Sequence, residues 1–429
     1  MSAATATERV PLFSSFALRN YRLFWIGGFV SNIGTWMARV AQDWLVLTIL
    51  TNNSAIALGI VTGLQFLPTA LLSPWAGALA DRFAKRKLLM LTQAGMALTG
   101  TALAILVVGG WVALWQVYLL AFLQGIAAAF DSPARQSFAP EMVPAKLIGN
   151  SVGLNTTSFH TARLIGPAVA GLTIAWWGVG PALAVNALSF VAVLIALGVM
   201  NPAELTPAPR GPRSGGVMEG LRYVRRRPDI MLVMFMVFML GTFGLNFQLT
   251  NALMATSVFH VGPEMFGFMS SVMAIGALSA GLMAARRTEV PLRLIVGALA
   301  AFSVVLIVMA LTQGLYAYLV LLLFAGLTAL TVMTAANTSV QLGTEPVMRG
   351  RVMALYMAIF LGGTPIGSPL LGWVGDAWGP RWTLAIGGIA CGLATAVAVA
   401  YLLRRRGWAW PWRRVSVDMA YVALPEEVR

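Results

Sequence analysis

The sequence predicts an all-α membrane protein, with twelve transmembrane helices in two pseudo-symmetric six-helix bundles. Three observations carry that expectation. Apolar runs long enough to cross a bilayer tile most of the 429 residues. All but three of the 29 basic residues fall on one side of the resulting topology. Short stretches of the first half recur in the second at a nearly constant spacing of close to two hundred residues.

A spanning helix needs about 20 mostly apolar residues. Such runs occupy 21–50, 55–80, 88–108, 111–130, 151–177 and 182–200, and then 230–256, 265–285, 294–311, 315–337, 352–374 and 382–403. Turn chemistry at Asn52-Asn53-Ser54, Gly109-Gly110, Val261-Gly262-Pro263 and Gln313-Gly314 separates runs where no charge does. Gly362-Gly363-Thr364-Pro365 lies inside a run and is expected to kink that span rather than end it. These runs divide the chain into an N-terminal bundle (1–200), a linker (201–228), a C-terminal bundle (229–403) and a tail (404–429). Within the linker, Met218, Leu221 and Val224 recur at helical spacing beside arginines, which reads as a short amphipathic helix on the membrane surface.

Composition narrows the function. The chain is 59% hydrophobic and 10% charged, against roughly 25% charged in soluble domains. Its net charge of +14 would suggest nucleic acid in a soluble protein. Here the basic residues sit where orientation requires them, in segments that the positive-inside rule places in the cytoplasm with both termini. Arg135 and Lys146 are assigned to one such segment, after the fourth span, and only Arg39, Arg163 and Arg381 fall elsewhere. One cysteine, Cys391, and two histidines supply neither a disulfide nor a metal centre, so no metal or other cofactor is expected. No cleaved signal peptide is read at the N-terminus. No nucleophile–base pair stands within the spans and no phosphate-binding loop is present, which argues against an enzyme or a nucleotide-driven pump.

The repeat rests on three pairs: Gly77–Arg82 with Gly281–Arg286, Glu141–Val143 with Glu345–Val347, and Trp177-Gly178 with Trp378-Gly379. Parallel six-helix repeats are common among transporters. Between spans two and three lies Gly77-Ala-Leu-Ala-Asp81-Arg82-Phe-Ala-Lys85-Arg86-Lys87, which resembles the cytoplasmic signature of the major facilitator superfamily, with Ala84 in place of the usual glycine. Asp81 ends its helix, where its charge opposes its own dipole, so it wants a partner. The resemblance implies that this partner is the start of span eleven near Val352, and that Gly77, Asp81, Arg82, Lys85 and Arg86 form a cytoplasmic gate.

In span five, Gly153, Ala162, Gly166, Pro167, Ala170 and Gly171 resemble the superfamily's antiporter motif, with two glycines replaced by alanine. Residues 162, 166 and 170 share one helix face and allow close approach of a neighbour. Asn20–Trp25, Ser31–Trp36 and Asp131–Pro144 resemble the enterobactin-exporter-like, drug-efflux branch. Ala121 before Gln124-Gly125 departs from the superfamily, which usually places a buried arginine there.

A charge inside the membrane is costly and usually functional. Asp43 is the only carboxylate well inside a span by these boundaries, and Arg39 lies one turn before it. The pair is the expected proton-coupling site. Asn32, Arg39, Gln124, Asn155, Arg163, Asn246 and Asn337 are the candidate cavity residues. The resemblance implies a monomeric secondary transporter in the cell membrane that exports a small amphipathic siderophore, drug or metabolite by alternating access, coupled to protons. An importer or uniporter on the same fold is the alternative.

Overall fold

A backbone in hydrocarbon finds no water, so each apolar run has to satisfy its amides internally and folds as a helix. The computed structural model describes residues 11, 13–206, 217–285, 287 and 290–406. Its helices are α1 (Arg19–Trp44), α2 (Ala55–Arg82), α3 (Lys85–Val108), α4 (Leu114–Phe138), α5 (Ile148–Trp177), α6 (Val179–Val199), α7 (Val217–Arg225), α8 (Pro228–Met239), α9 (Phe247–Leu253), α10 (Pro263–Ala285), α11 (Leu292–Leu311), α12 (Leu315–Leu342), α13 (Arg349–Gly362), α14 (Thr364–Trp378) and α15 (Pro380–Arg406).

Among the described residues, ten helical stretches are long and apolar enough to cross a membrane. Three of them, Leu114–Met142, Pro228–Val258 and Arg349–Trp378, are built from consecutive helical pieces. The twelve are completed by α1 and α5, which at 26 and 30 residues are also long enough to span. Their mean hydropathy is lowered by Asn32, Arg39 and Asp43 in α1 and by Asn155, His160 and Arg163 in α5.

The chain divides into two compact units: Met1–Gln42 with Leu72–Gly211, and Asp43–Leu71 with Pro212–Arg429. Both boundaries of the exchanged segment fall within helical or near-helical chain, after Gln42 in α1 and after Leu71 in α2.

In the first unit α3 packs against α4 and α6, and α5 against α6. One end of this unit is closed by a cluster that includes Tyr21, Phe24, Leu89, Phe138 and Leu197. Phe24 meets Phe138 edge to face with centroids 5.6 Å apart. The Asn20–Trp25 motif anchors this cluster by binding backbone. Asn20 exchanges two hydrogen bonds with the main chain of Asn201, Tyr21 donates to Ser151 O (2.8 Å), and Trp25 donates to Leu154 O (3.0 Å).

In the second unit α10 packs on α12, and α11 on α12 and α15. The α10–α12 contact is a reciprocal glycine pair. A Cβ on Gly276 would lie 1.9 Å from Leu323 O, and one on Gly326 would lie 2.0 Å from Met273 O. The linker helix α7 packs against α13. Val224 is buried there, Glu219 pairs with Arg351 at 2.7 Å, and Met218 stays exposed.

The internal repeat is visible in the backbone. The first span of each half ends in a π-helical turn, Leu45–Leu50 and Met254–Val258, followed by a left-handed residue, Asn53 (φ 59°) and His260 (φ 50°). Spans five and eleven each end on tryptophan and a left-handed glycine, Gly178 (φ 84°) and Gly379 (φ 97°), and the next helix starts at once.

Gly276→Val places side-chain carbon where α12 backbone already lies. It should cost about 3 kcal/mol or more and lower the thermal unfolding midpoint of the detergent-solubilised protein. A midpoint equal to the parent's would contradict the glycine contact.

Candidate functional site

Arg39 of α1 and Arg163 of α5, both in the first unit, meet on one ring. The Arg39 guanidinium carbon stands 4.8 Å from the Trp36 ring centroid, and that of Arg163 stands 5.2 Å from the same ring. Phe159 meets Trp36 edge to face at 5.9 Å. Cation–π attraction strengthens when the pair is removed from water. α5 comes this close because Gly166 has no side chain: a Cβ there would be 2.6 Å from Trp36 Cβ and 2.9 Å from Ile33 O. Ala162, Gly166, Pro167, Ala170 and Gly171 are buried, whereas Gly153 is exposed with nothing within 4 Å of its added Cβ. In the sequence Trp36 stands out only as the end of the Ser31–Trp36 motif. Its four-residue and three-residue spacings to Asn32 and Arg39 were the available signal.

A second charged group was missed. The fourth span was expected to end at 130, with Asp131 and Arg135 in the following segment. The structure corrects this, because α4 continues to Phe138 and passes through Pro133 without breaking. Asp43 is therefore not the only carboxylate inside a span. Asp131, 7% exposed, accepts hydrogen bonds from Thr92 Oγ1 (2.9 Å), Gln93 Nε2 (2.7 Å) and Arg135 Nε (3.0 Å). The i,i+4 spacing neutralises the acid one turn away, and α3 supplies the remaining donors, so the helix continues at little electrostatic cost. Phe24 lies beneath the Arg135 guanidinium at 5.8 Å. Arg135 is thus the half-buried partner of a buried acid and not a loop charge.

In the second unit Asp43 is fully buried and accepts a hydrogen bond from Gln248 Nε2 at 3.0 Å. Gln248 sits in α9, just after a break in the span at Leu245-Asn246 that follows the π-helical turn Leu240–Gly244. Such discontinuities re-aim side chains within membrane helices. Asn246 donates to Thr242 O (2.7 Å) and accepts from Ser368 Oγ (2.6 Å), and Asn251 accepts from Tyr318 OH (2.9 Å). Asn337 accepts from Gln341 Nε2 at 2.7 Å. Asn32, Gln124 and Asn155, all in the first unit, are half-buried.

Of the expected gate residues, the side chains of Gly77, Asp81 and Arg82 lie outside the described residues. Lys85 pairs with Glu141. Arg86 donates to Leu197 O (2.7 Å) and Gly198 O (2.9 Å), satisfying carbonyls at the end of α6. Both side chains therefore fasten α3 within the first unit.

Asp131→Ala leaves the half-buried Arg135 and the buried donors of Thr92 and Gln93 without their acceptor, and should cost about 3 kcal/mol. Loss of folded, monodisperse protein on size-exclusion chromatography, with partial recovery in Asp131→Ala/Arg135→Leu, is the expected outcome. Equal yields for both variants and the parent would contradict a structural ion pair.

Comparison with known proteins identifies the group to which these features belong. The major facilitator family model described as "Transmembrane secretion effector" matches residues 11–410. The Staphyloferrin A transporter of Staphylococcus aureus is 24% identical over 388 residues, covering 90% of this chain and 96% of that protein. The Multidrug efflux pump Tap of Mycolicibacterium fortuitum is 26% identical over 387 residues, covering 87% and 91%. Among solved structures, a bacterial homologue of the human lysosomal transporter Spinster superposes with a TM-score of 0.72 at 16% identity, covering 94% of this chain and all of that one. These matches and the helical repeat place the chain as a multi-pass membrane transporter of the major facilitator superfamily, in its transmembrane secretion effector family.

Proposed function

We propose that this transporter exports a small amphipathic molecule by alternating access, in exchange for protons. The observation that carries the reading is Asp43, a carboxylate with no exposed surface that meets the Gln248 amide at 3.0 Å. A carboxylate inside a span is costly and usually functional, so proton coupling is the role assigned to it. Arg39, one turn earlier in α1, is the group that tunes it.

The Trp36, Arg39 and Arg163 cluster supports a cargo with an aromatic or anionic portion. Asn32, Gln124, Asn155, Asn246 and Asn337 supply polar contacts to the same cargo in this reading. Export is favoured by the close seating of Gly166 on α1, in a stretch that resembles the antiporter motif, and by the efflux pump among the relatives. The bundles 1–200 and 229–403 are the moving halves, joined by 201–228, and the protein works as a monomer. Gly77, Asp81, Arg82, Lys85 and Arg86 guard the cytoplasmic end. Both termini face the cytoplasm, across the plasma membrane or a bacterial inner membrane.

In proteoliposomes, Asp43→Asn should abolish export driven by a pH gradient while preserving substrate exchange at equal pH. Gradient-driven export at the parental rate would overturn the coupling role. Protease cleavage of terminal tags only in inside-out vesicles is the expected result for the topology, and cleavage in right-side-out vesicles would reverse it.

A further inference from the structure

Asp376 lies in the last turn of α14, where a negative charge opposes its own helix dipole. Its carboxylate instead serves the start of α2, which belongs to the same unit. It accepts hydrogen bonds from Ala55 N (2.6 Å), Ile56 N (3.0 Å) and Ser54 Oγ (3.1 Å). The first amides of a helix have no partner within it, and an acid placed there is favoured both as an acceptor and as a charge. Here the capping acid comes from a helix more than three hundred positions away in sequence.

Beneath the cap, α2 and α14 meet backbone to backbone. A Cβ on Gly372 would lie 2.5 Å from Ala55 O, one on Gly59 would lie 2.4 Å from Ser368 O, and one on Gly63 would lie 3.1 Å from Pro369. Residues 55, 59 and 63 form one stripe at i+4 steps. Small residues let the helices touch without interlocking side chains, so the junction can part without dragging large groups past one another. The carboxylate is the polar fastening on it.

We propose that Asp376 is a positioning residue for transport: its carboxylate latches the start of α2 to the end of α14 and holds that end of the pathway closed until the bond is released. The proposal rests on the alternating-access reading. It assigns the end opposite the basic segments its own fastening, separate from the Asp81 motif.

The test uses the full-length protein in proteoliposomes, with Cys391→Ser and Thr62→Cys. Thr62 is 3% exposed and lies in the second turn of α2. The readout is its reaction rate with a membrane-impermeant maleimide applied from the side opposite the basic segments. Asp376→Asn should raise that rate about tenfold, the scale of a lost helix cap, and Asp376→Glu should restore most of the parental rate. Glu264→Gln removes a carboxylate from the first turn of α10 without touching α2 and should leave the rate unchanged. Ala55→Pro deletes the shortest of the three bonds at a helix position that tolerates proline, and should reproduce the rise if Asp376→Asn fails to assemble. Substrate exchange is scored in parallel. A flat labelling rate in Asp376→Asn and Ala55→Pro with exchange still active overturns the latch and leaves the transport reading standing. An equal rise in Glu264→Gln also overturns it.

Discussion

Hydrocarbon tolerates neither an unpaired amide nor an unpaired charge, and the rest of this molecule follows from that constraint. Each span answers it differently. α3 and α6 are apolar along most of their length. α4 instead carries Asp131, with three donors spent on one carboxylate. Arg86 caps α6, and Asp376 caps α2, each acting at a helix end that has no partner of its own. Asp131, Arg86 and Asp376 are thus each fastened to backbone, to neutral donors or to an opposite charge.

Close packing is achieved with glycine rather than with large interlocking side chains. Gly276 and Gly326 join α10 to α12, Gly166 seats α5 on Trp36, and Gly59 and Gly372 bring α2 to α14. In lipid there is little hydrophobic gain from helix association, so contact area and backbone approach have to supply it.

Much of the fold was legible because its signals are local. Trp177-Gly178 and Trp378-Gly379 matched in sequence, and each pair ends its span with a left-handed glycine. The expected kink at Gly362-Gly363 is a break between α13 and α14 inside one span. The site was less legible. Asp131 was read as a loop residue because a charge followed by Ser-Pro resembles a helix end. Thr92 and Gln93, which keep it in the helix, are nearly forty positions away.

By itself the sequence determined the solvent, the number of crossings and the repeat, since each depends on hydropathy and turn chemistry within one short window. It also marked Arg39, Asp43 and Arg163 as unusual, because any charge in an apolar run is costly. Only the tertiary structure decided their company: Trp36 between two arginines, Gln248 on Asp43, and Asp376 on the first amides of α2. Apart from Arg39 on Trp36, which share α1, those partners come from different helices. A periodicity confined to one helix shows which face a residue occupies, but not which backbone it meets there.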